Sequence, residues 1–394
     1  MIRDKDTLQR KVRAAVRRMP AVDLCTRLPV APMGDPRAHG LTALLTCPAL
    51  RAQADAAGVD CAQARDALAE AAFQALFIDR SPVSEAAADA LTALERLDFP
   101  VARRDWALLR EEQAARRPEH FFQEILDAAE LRGVGCVADP FAPDAQRVWQ
   151  AFAEGTVPEA TIPILSLMTL QRAVAQDVPL DAPGYALDEA RYGLPLAELA
   201  RLADDWAAHT RAQLVCVDVP ETPLAQDALL RYVAFPLCRA RGLPLLIRLG
   251  RETAGAQLAW LAQAFAQDEA LCAAVVASAP ESVRALISAC ADPWGHALFP
   301  VLAADAALAG DALGTLGIRG QLYASQATVA EQLPGRWARA RRALAQALYT
   351  RYLPLIKAGW GIQSAEIEDD AAKLLGGNWE AFCRVRAREI VGGQ

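Results

Sequence analysis

The chain has 394 residues, 53% hydrophobic and 23% charged, an ordinary globular composition with ample material for a large core. Its net charge of -7 argues against a nucleic-acid footprint. The lack of any apolar run of about 18 residues argues against a transmembrane helix.

The polar start Met1-Ile2-Arg3-Asp4-Lys5-Asp6 lacks the apolar core of a secretory leader, so a cytoplasmic location is expected. The first strand signal is Ala21–Cys25. A long stretch at 40–130 follows that reads as helical: 41–57, 62–77, 84–97 and 119–131 carry apolar residues at spacings of three and four. Asp79-Arg80-Ser81-Pro82 breaks it, with Ser81 or Ser84 as the N-cap of the next helix. Further short apolar runs occur at 133–138, 162–168, 213–219, 244–249, 274–278, 297–302 and 320–324, with amphipathic stretches between them. Eight such strands alternating with helices predict an α/β protein, a (β/α)8 barrel of the TIM type with a helical insertion at 40–130 after strand one. Residues 1–394 are expected to form one domain. A doubly wound sheet is the structural alternative. Near the C-terminus, 337–352 reads as a basic helix, with Arg336, Arg339, Arg341, Arg342 and Arg351, whose plainest role is a solvated face.

Nine cysteines are scattered without a Cys-x-x-Cys pair, several inside apolar runs such as Val215-Cys216-Val217. They read as small buried hydrophobes in a reducing compartment. The four histidines, His39, His120, His209 and His296, make neither His-x-His nor His-x-x-x-His spacing, so a histidine-built metal site is unsupported.

Several segments together resemble the uronate isomerase family of the amidohydrolase superfamily. They are Leu76-Phe77-Ile78-Asp79-Arg80-Ser81-Pro82-Val83-Ser84-Glu85-Ala86, Ala138-Asp139-Pro140-Phe141 and Phe235-Pro236-Leu237-Cys238-Arg239. Most specific is the ending: Ser325-Gln326-Ala327, then Trp337, Arg341-Arg342-Ala343-Leu344-Ala345, Tyr352, Ala358-Gly359-Trp360, Glu366-Ile367-Glu368-Asp369-Asp370 and Leu374-Leu375-Gly376-Gly377-Asn378-Trp379. The resemblance spans nearly the whole chain. It implies the same barrel, and a reaction that interconverts aldose and ketose forms of glucuronate or galacturonate.

The family's reactive residues are not carried over. Its paired strand-one histidines fall on Cys25 and Arg27, and an arginine cannot ligate a cation. Its strand-eight Ser-Asp-Ala-Arg, with a metal-binding aspartate and a substrate-holding arginine, is here Ser325-Gln326-Ala327-Thr328. A Tyr-His pair found in some members falls on Cys47-Pro48, and a functional position late in strand five falls near Arg248.

The reaction needs a base, a polarised carbonyl and a cationic clamp for the carboxylate. The proton carriers left are Asp23, Cys25 and His296. Arg27, Arg248 and Arg251 are the candidate clamp, with Tyr323, Ser325 and Gln326 for sugar hydroxyls. Each has a plainer role: Arg27 or Arg248 paired internally with Asp23 or Asp218, Gln326 as a neutral filler, Cys25 and Tyr323 as packing, His296 as a packed barrel-end residue.

The expectation is a family homologue that has lost the usual metal-dependent activity, with no metal and no cofactor, and that binds a small sugar acid or a partner. The alternatives are a still-active isomerase and a metal-independent enzyme on another sugar acid. Neither nucleic acid nor membrane is expected as a partner, and a homo-oligomer is compatible with the sequence.

Overall fold

The computed structural model describes residues 1–176, 178–187, 195–219, 228–302, 306–321 and 323–383. Seven strands lie side by side in sequence order, all parallel: β1 (Ala21–Asp23), β2 (Leu131–Ala138), β3 (Thr161–Ser166), β4 (Leu214–Val217), β5 (Leu245–Arg248), β6 (Ala273–Ala277) and β7 (Leu298–Leu302). Nearly all their residues are buried, as expected of parallel strands covered on both faces, and that is why they read as continuous apolar runs. The sheet curls. Val22 of β1 and Ile164, Leu214, Leu246, Ala274 and Phe299 of β3 to β7 meet in one inner apolar cluster, separate from the larger core beneath the helices.

Over the eighth strand expected at 320–324, Leu322 lies outside the described residues, and among those described there is a single bridge, in which Gln321 pairs in parallel with Val301. Gly320 turns the chain just before it at φ +90, and a Cβ there would lie 2.6 Å from the Pro300 carbonyl oxygen. The Gln321 side-chain amide then donates to Val22 O (2.7 Å) and Tyr323 O (2.8 Å). Gln326 N donates to Cys25 O and Arg27 N to Ala327 O, both at 2.8 Å. The described residues of 321–327 thus join β7 to β1 through scattered bonds.

Helix α1 (Lys5–Arg18) precedes β1. It was not anticipated from the sequence, and Asp4 caps it through Thr7 N at 2.8 Å. Between β1 and β2 lie α2 (Leu41–Leu45), α3 (Pro48–Ala56), α4 (Arg65–Phe73), α5 (Glu85–Arg96), α6 (Trp106–Ala115) and α7 (Pro118–Ala129). The helix expected over 41–57 is split at Cys47-Pro48, because proline lacks an N–H and forces the preceding residue into an extended conformation, here φ -60, ψ 152. Ser84 caps α5, its Oγ accepting from Ala87 N at 3.2 Å.

The remaining helices are α8 (Ala145–Glu154), α9 (Met168–Ala175), α10 (Leu196–Thr210), α11 (Phe235–Arg241), α12 (Ala254–Gln267), α13 (Pro280–Ala291), α14 (Ala306–Leu316), α15 (Gln332–Lys357) and α16 (Ser364–Ala372). The 26-residue α15 packs on α1, α5, α7 and α14. Its Arg341, 5% exposed, donates to Val16 O (2.5 Å), Met19 O (2.7 Å) and Glu130 O (2.9 Å), satisfying carbonyls where α1 and α7 end. No helix among the described residues is long and apolar enough to cross a membrane.

Candidate functional site

Parallel strands place all their C-terminal ends on one face, where barrel ligands bind. Asp23 ends β1. It is fully buried, and both carboxylate oxygens are occupied: Trp337 Nε1 donates at 2.9 Å, Ser325 N at 3.2 Å and Cys25 N at 3.3 Å. Burial pushes its pKa up against these donors. The carboxylate therefore knots β1 to the 325 segment and to α15, and it faces no open space from which to take a substrate proton.

Arg248, at the end of β5, spans the centre of the face. Its Nε donates to Cys25 Sγ (3.2 Å), its Nη1 to Met168 Sδ (3.4 Å) and its Nη2 to Thr26 O (3.0 Å). Cys216 Sγ, on β4, donates to the same Met168 sulfur at 3.4 Å. Burial pushes the Cys25 thiol up and the Cys216 thiol up to about 12, so both are protonated at neutral pH. A guanidinium, a thioether and two protonated thiols do not fit a hard divalent cation, which needs carboxylate, imidazole or water ligands and no positive charge beside it. Among the described residues no group of three or more His, Cys, Asp or Glu could hold a metal. Asp139, after β2, is also held: it accepts from Ser166 Oγ (3.0 Å) and Phe141 N (3.0 Å), and burial pushes its pKa up.

Beside this filled centre lies an open cavity of about 480 Å³. One wall is Tyr323, Ser325 and Gln326; α15 contributes Gln332, Arg336 and Arg339; α5 contributes Glu85 and Asp89; Ser278 follows β6. Gln326 holds the left-handed conformation (φ 50), which is unusual for a residue other than glycine and marks a locally constrained backbone. Arg336 donates Nη1 to Ser325 O at 2.6 Å, and this is its one hydrogen bond among the described residues. Arg339 is committed: it straddles Asp89, Nε at 3.1 Å from both carboxylate oxygens, and reaches Glu85 at 3.0 Å. Burial keeps the Tyr323 hydroxyl protonated, and its ring packs edge-on against Trp337 at 5.0 Å. The cavity thus offers one largely unspent guanidinium among hydroxyl and amide groups.

Of the residues picked from sequence, Tyr323, Ser325 and Gln326 meet in this cavity. Arg248 does not clamp anything there; it is spent on Cys25, Met168 and Thr26. Arg27 is exposed, and Arg251, also exposed, pairs with Glu281 at 3.6 Å. His296 precedes β7 and so lies at the opposite end of the sheet, exposed, with its Nδ1 2.8 Å from Pro293 O. That removes it from the proton carriers of the strand ends. Sequence reading missed Arg336 and Arg339 as cavity residues. Both stood in plain view in the basic helix, three apart and so on one face, but were read as solvated.

No family model matches the chain, and no curated protein matches its sequence. Among solved structures it is similar to a uronate isomerase from Bacillus halodurans C-125, with a TM-score of 0.81 over 97% of each chain at 21% identity. That likeness establishes the fold class, an α/β protein with a TIM-like curl of parallel strands.

Proposed function

We propose that this chain is a uronate-isomerase-like barrel that has given up metal-assisted isomerisation and binds a small sugar acid in the cavity beside 323–326. The helices from 40 to 130 then form an insertion after strand one, and 321–327 stands in for strand eight. One observation carries the reading: Arg248 lies across the strand ends with its guanidinium donating to Cys25, Met168 and Thr26. A cation there repels a divalent metal, and three of its five N–H donors are already given to Cys25, Met168 and Thr26. Arg336 takes the carboxylate instead, and Tyr323, Gln326 and Ser278 meet the hydroxyls. Asp23 relays no substrate proton in this reading, because Trp337, Ser325 and Cys25 already occupy its oxygens.

The test has two arms. A coupled reduction of the ketose product, with and without added divalent cations, should show no glucuronate or galacturonate turnover above background. A thermal-shift screen of uronates and aldonates should show stabilisation that follows RT ln(1 + [L]/Kd), about 2.7 kcal/mol at a hundredfold excess over Kd. Arg336→Met should weaken that binding about tenfold, roughly 1.4 kcal/mol. Turnover near an ordinary metabolic rate of about 10 s⁻¹ would overturn the reading. Dependence on added metal would then mark a still-active isomerase, and indifference to chelators a metal-independent enzyme.

A further inference from the structure

The first four arginines of the basic helix read from sequence fall in three environments. Arg336 and Arg339 face the cavity, Arg341 is buried at the ends of α1 and α7, and Arg342 enters a second groove. That groove, about 850 Å³, runs between α1 and α15 on a different side of α15. Arg10, Arg13 and Arg17 line one wall and Arg342 the other, with Tyr349 half-buried beside them. None of the four arginines has an ion-pair or hydrogen-bond partner among the described residues, and Asp6 is the one acid lining the groove.

The three arginines of α1 stand at i, i+3 and i+7, so they share a face and span about 10 Å of helix rise. The groove floor is built: Arg341 is 5% exposed and locked by three backbone carbonyls. The whole chain is acidic at -7, so the cluster does not follow from general basicity. Four arginines line this groove against Asp6, with Asp4 acting electrostatically on Arg10, so positive charge is in excess and an anion would balance it. A sugar acid carries one negative charge and cannot balance four. The volume lies in the ordinary range for small ligands, roughly 300–1,000 Å³. Guanidinium forks match phosphate oxygens bidentately.

We propose that the groove between α1 and α15 binds a compact multivalent phosphate anion, an oligophosphate chain either free or as the tail of a nucleotide. The site is independent of the sugar-acid cavity, and either assignment can fail without the other.

Isothermal titration of the intact chain with inorganic tripolyphosphate, at matched ionic strength, is the test. Binding is expected, and Arg13→Gln with Arg342→Gln should weaken it at least tenfold. A second pair, Arg10→Gln with Arg17→Gln, should do the same. All four side chains are exposed, and circular dichroism confirms the folded state of each variant. Arg18→Gln, exposed outside the groove, should leave affinity unchanged. Equal affinity for ATP and tripolyphosphate assigns recognition to the phosphate chain; tighter ATP binding that is lost in Tyr349→Ala assigns it to a nucleotide. Failure of both anions to bind, or equal weakening by Arg18→Gln, would overturn the proposal. So would binding undiminished in both paired variants, or a single-stranded DNA oligomer binding more tightly than either anion through the same arginines.

Discussion

The centre of the strand ends and the cavity beside it share a boundary, the 325–327 segment, yet one is filled and the other open. At the centre, Arg248 directs all three nitrogens of its guanidinium at Cys25, Met168 and Thr26. In the cavity, Arg336 gives one nitrogen to Ser325 O and keeps the rest of its fork. Both arginines are half-buried, so exposure alone does not separate them. What separates them is how many donors the protein itself already occupies. A buried cation must be satisfied, and one satisfied by its own chain is structural, whereas one left with free donors at a cavity wall can take a ligand.

The link between the two regions is Trp337, fully buried, with its indole donating to Asp23 at 2.9 Å. Trp337→Ala should cost the most, about 3–5 kcal/mol for the lost packing, read as a fall in the urea midpoint at unchanged m. A loss below about 1 kcal/mol would mean the two regions are not tied through this residue.

Next in size is a pH effect at Glu331, next to the cavity-lining Gln332. Glu331 is 1% exposed, accepts from Gly40 N at 2.6 Å, and leaves Oε2 unpartnered. Burial raises its pKa from 4.5 to about 7. The folded state therefore holds this proton more tightly than the unfolded chain. The stability it confers is full below pH 4.5 and is lost as pH rises through about 7. The swing is about 3 kcal/mol, from roughly 1.4 kcal/mol per pKa unit. Denaturation midpoints from pH 4.5 to 8 should show this fall beyond that of the other buried carboxylates, Asp23 and Asp139, whose pKa values are raised too. Glu331→Gln should remove that share of the slope, and an unchanged slope would refute the assignment.

Arg248→Met sharpens the contrast directly. It leaves Thr26 O without its donor, at about 1–3 kcal/mol, while a thioether packs acceptably among Cys25, Cys216 and Met168. Sugar-acid binding should be untouched; a lost thermal shift would move the clamp back to the centre. The smallest effect is expected at the cavity rim. Glu85 is exposed and shares Arg339 with Asp89, so Glu85→Gln should change stability by about 0.2–1 kcal/mol.

Much of the fold was legible in the chain. Parallel strands covered on both faces must be apolar along their whole length, and seven of the eight runs read that way appear as strands within a few residues. At the eighth, the described residues show one bridge from Gln321 to Val301, with the Gln321 side chain bonding Val22 and Tyr323 after the turn at Gly320. The split of 41–57 at Pro48 was visible in principle, since proline ends the preceding helix by its own chemistry. The site was less legible. Tyr323, Ser325 and Gln326 line one cavity because one short segment carries all three. Arg27, Arg248 and Arg251 were grouped by their place after strands, and position along a strand does not say what a guanidinium touches.

The sequence by itself determined the order of the seven strands and the helical character of most segments between them, because periodicity, capping and proline act within a few residues. It also gave a histidine-built metal site no support, because the four histidines lack the paired spacing such a site uses. Only the tertiary structure decided which arginine is spent and which is free. Arg248 meets Cys25 and Thr26 from 223 and 222 residues away, Trp337 meets Asp23 across 314, and α1 brings its arginines to Arg342 from the other end of the chain. Such meetings depend on how the helices pack around the curled sheet, and no local pattern encodes them.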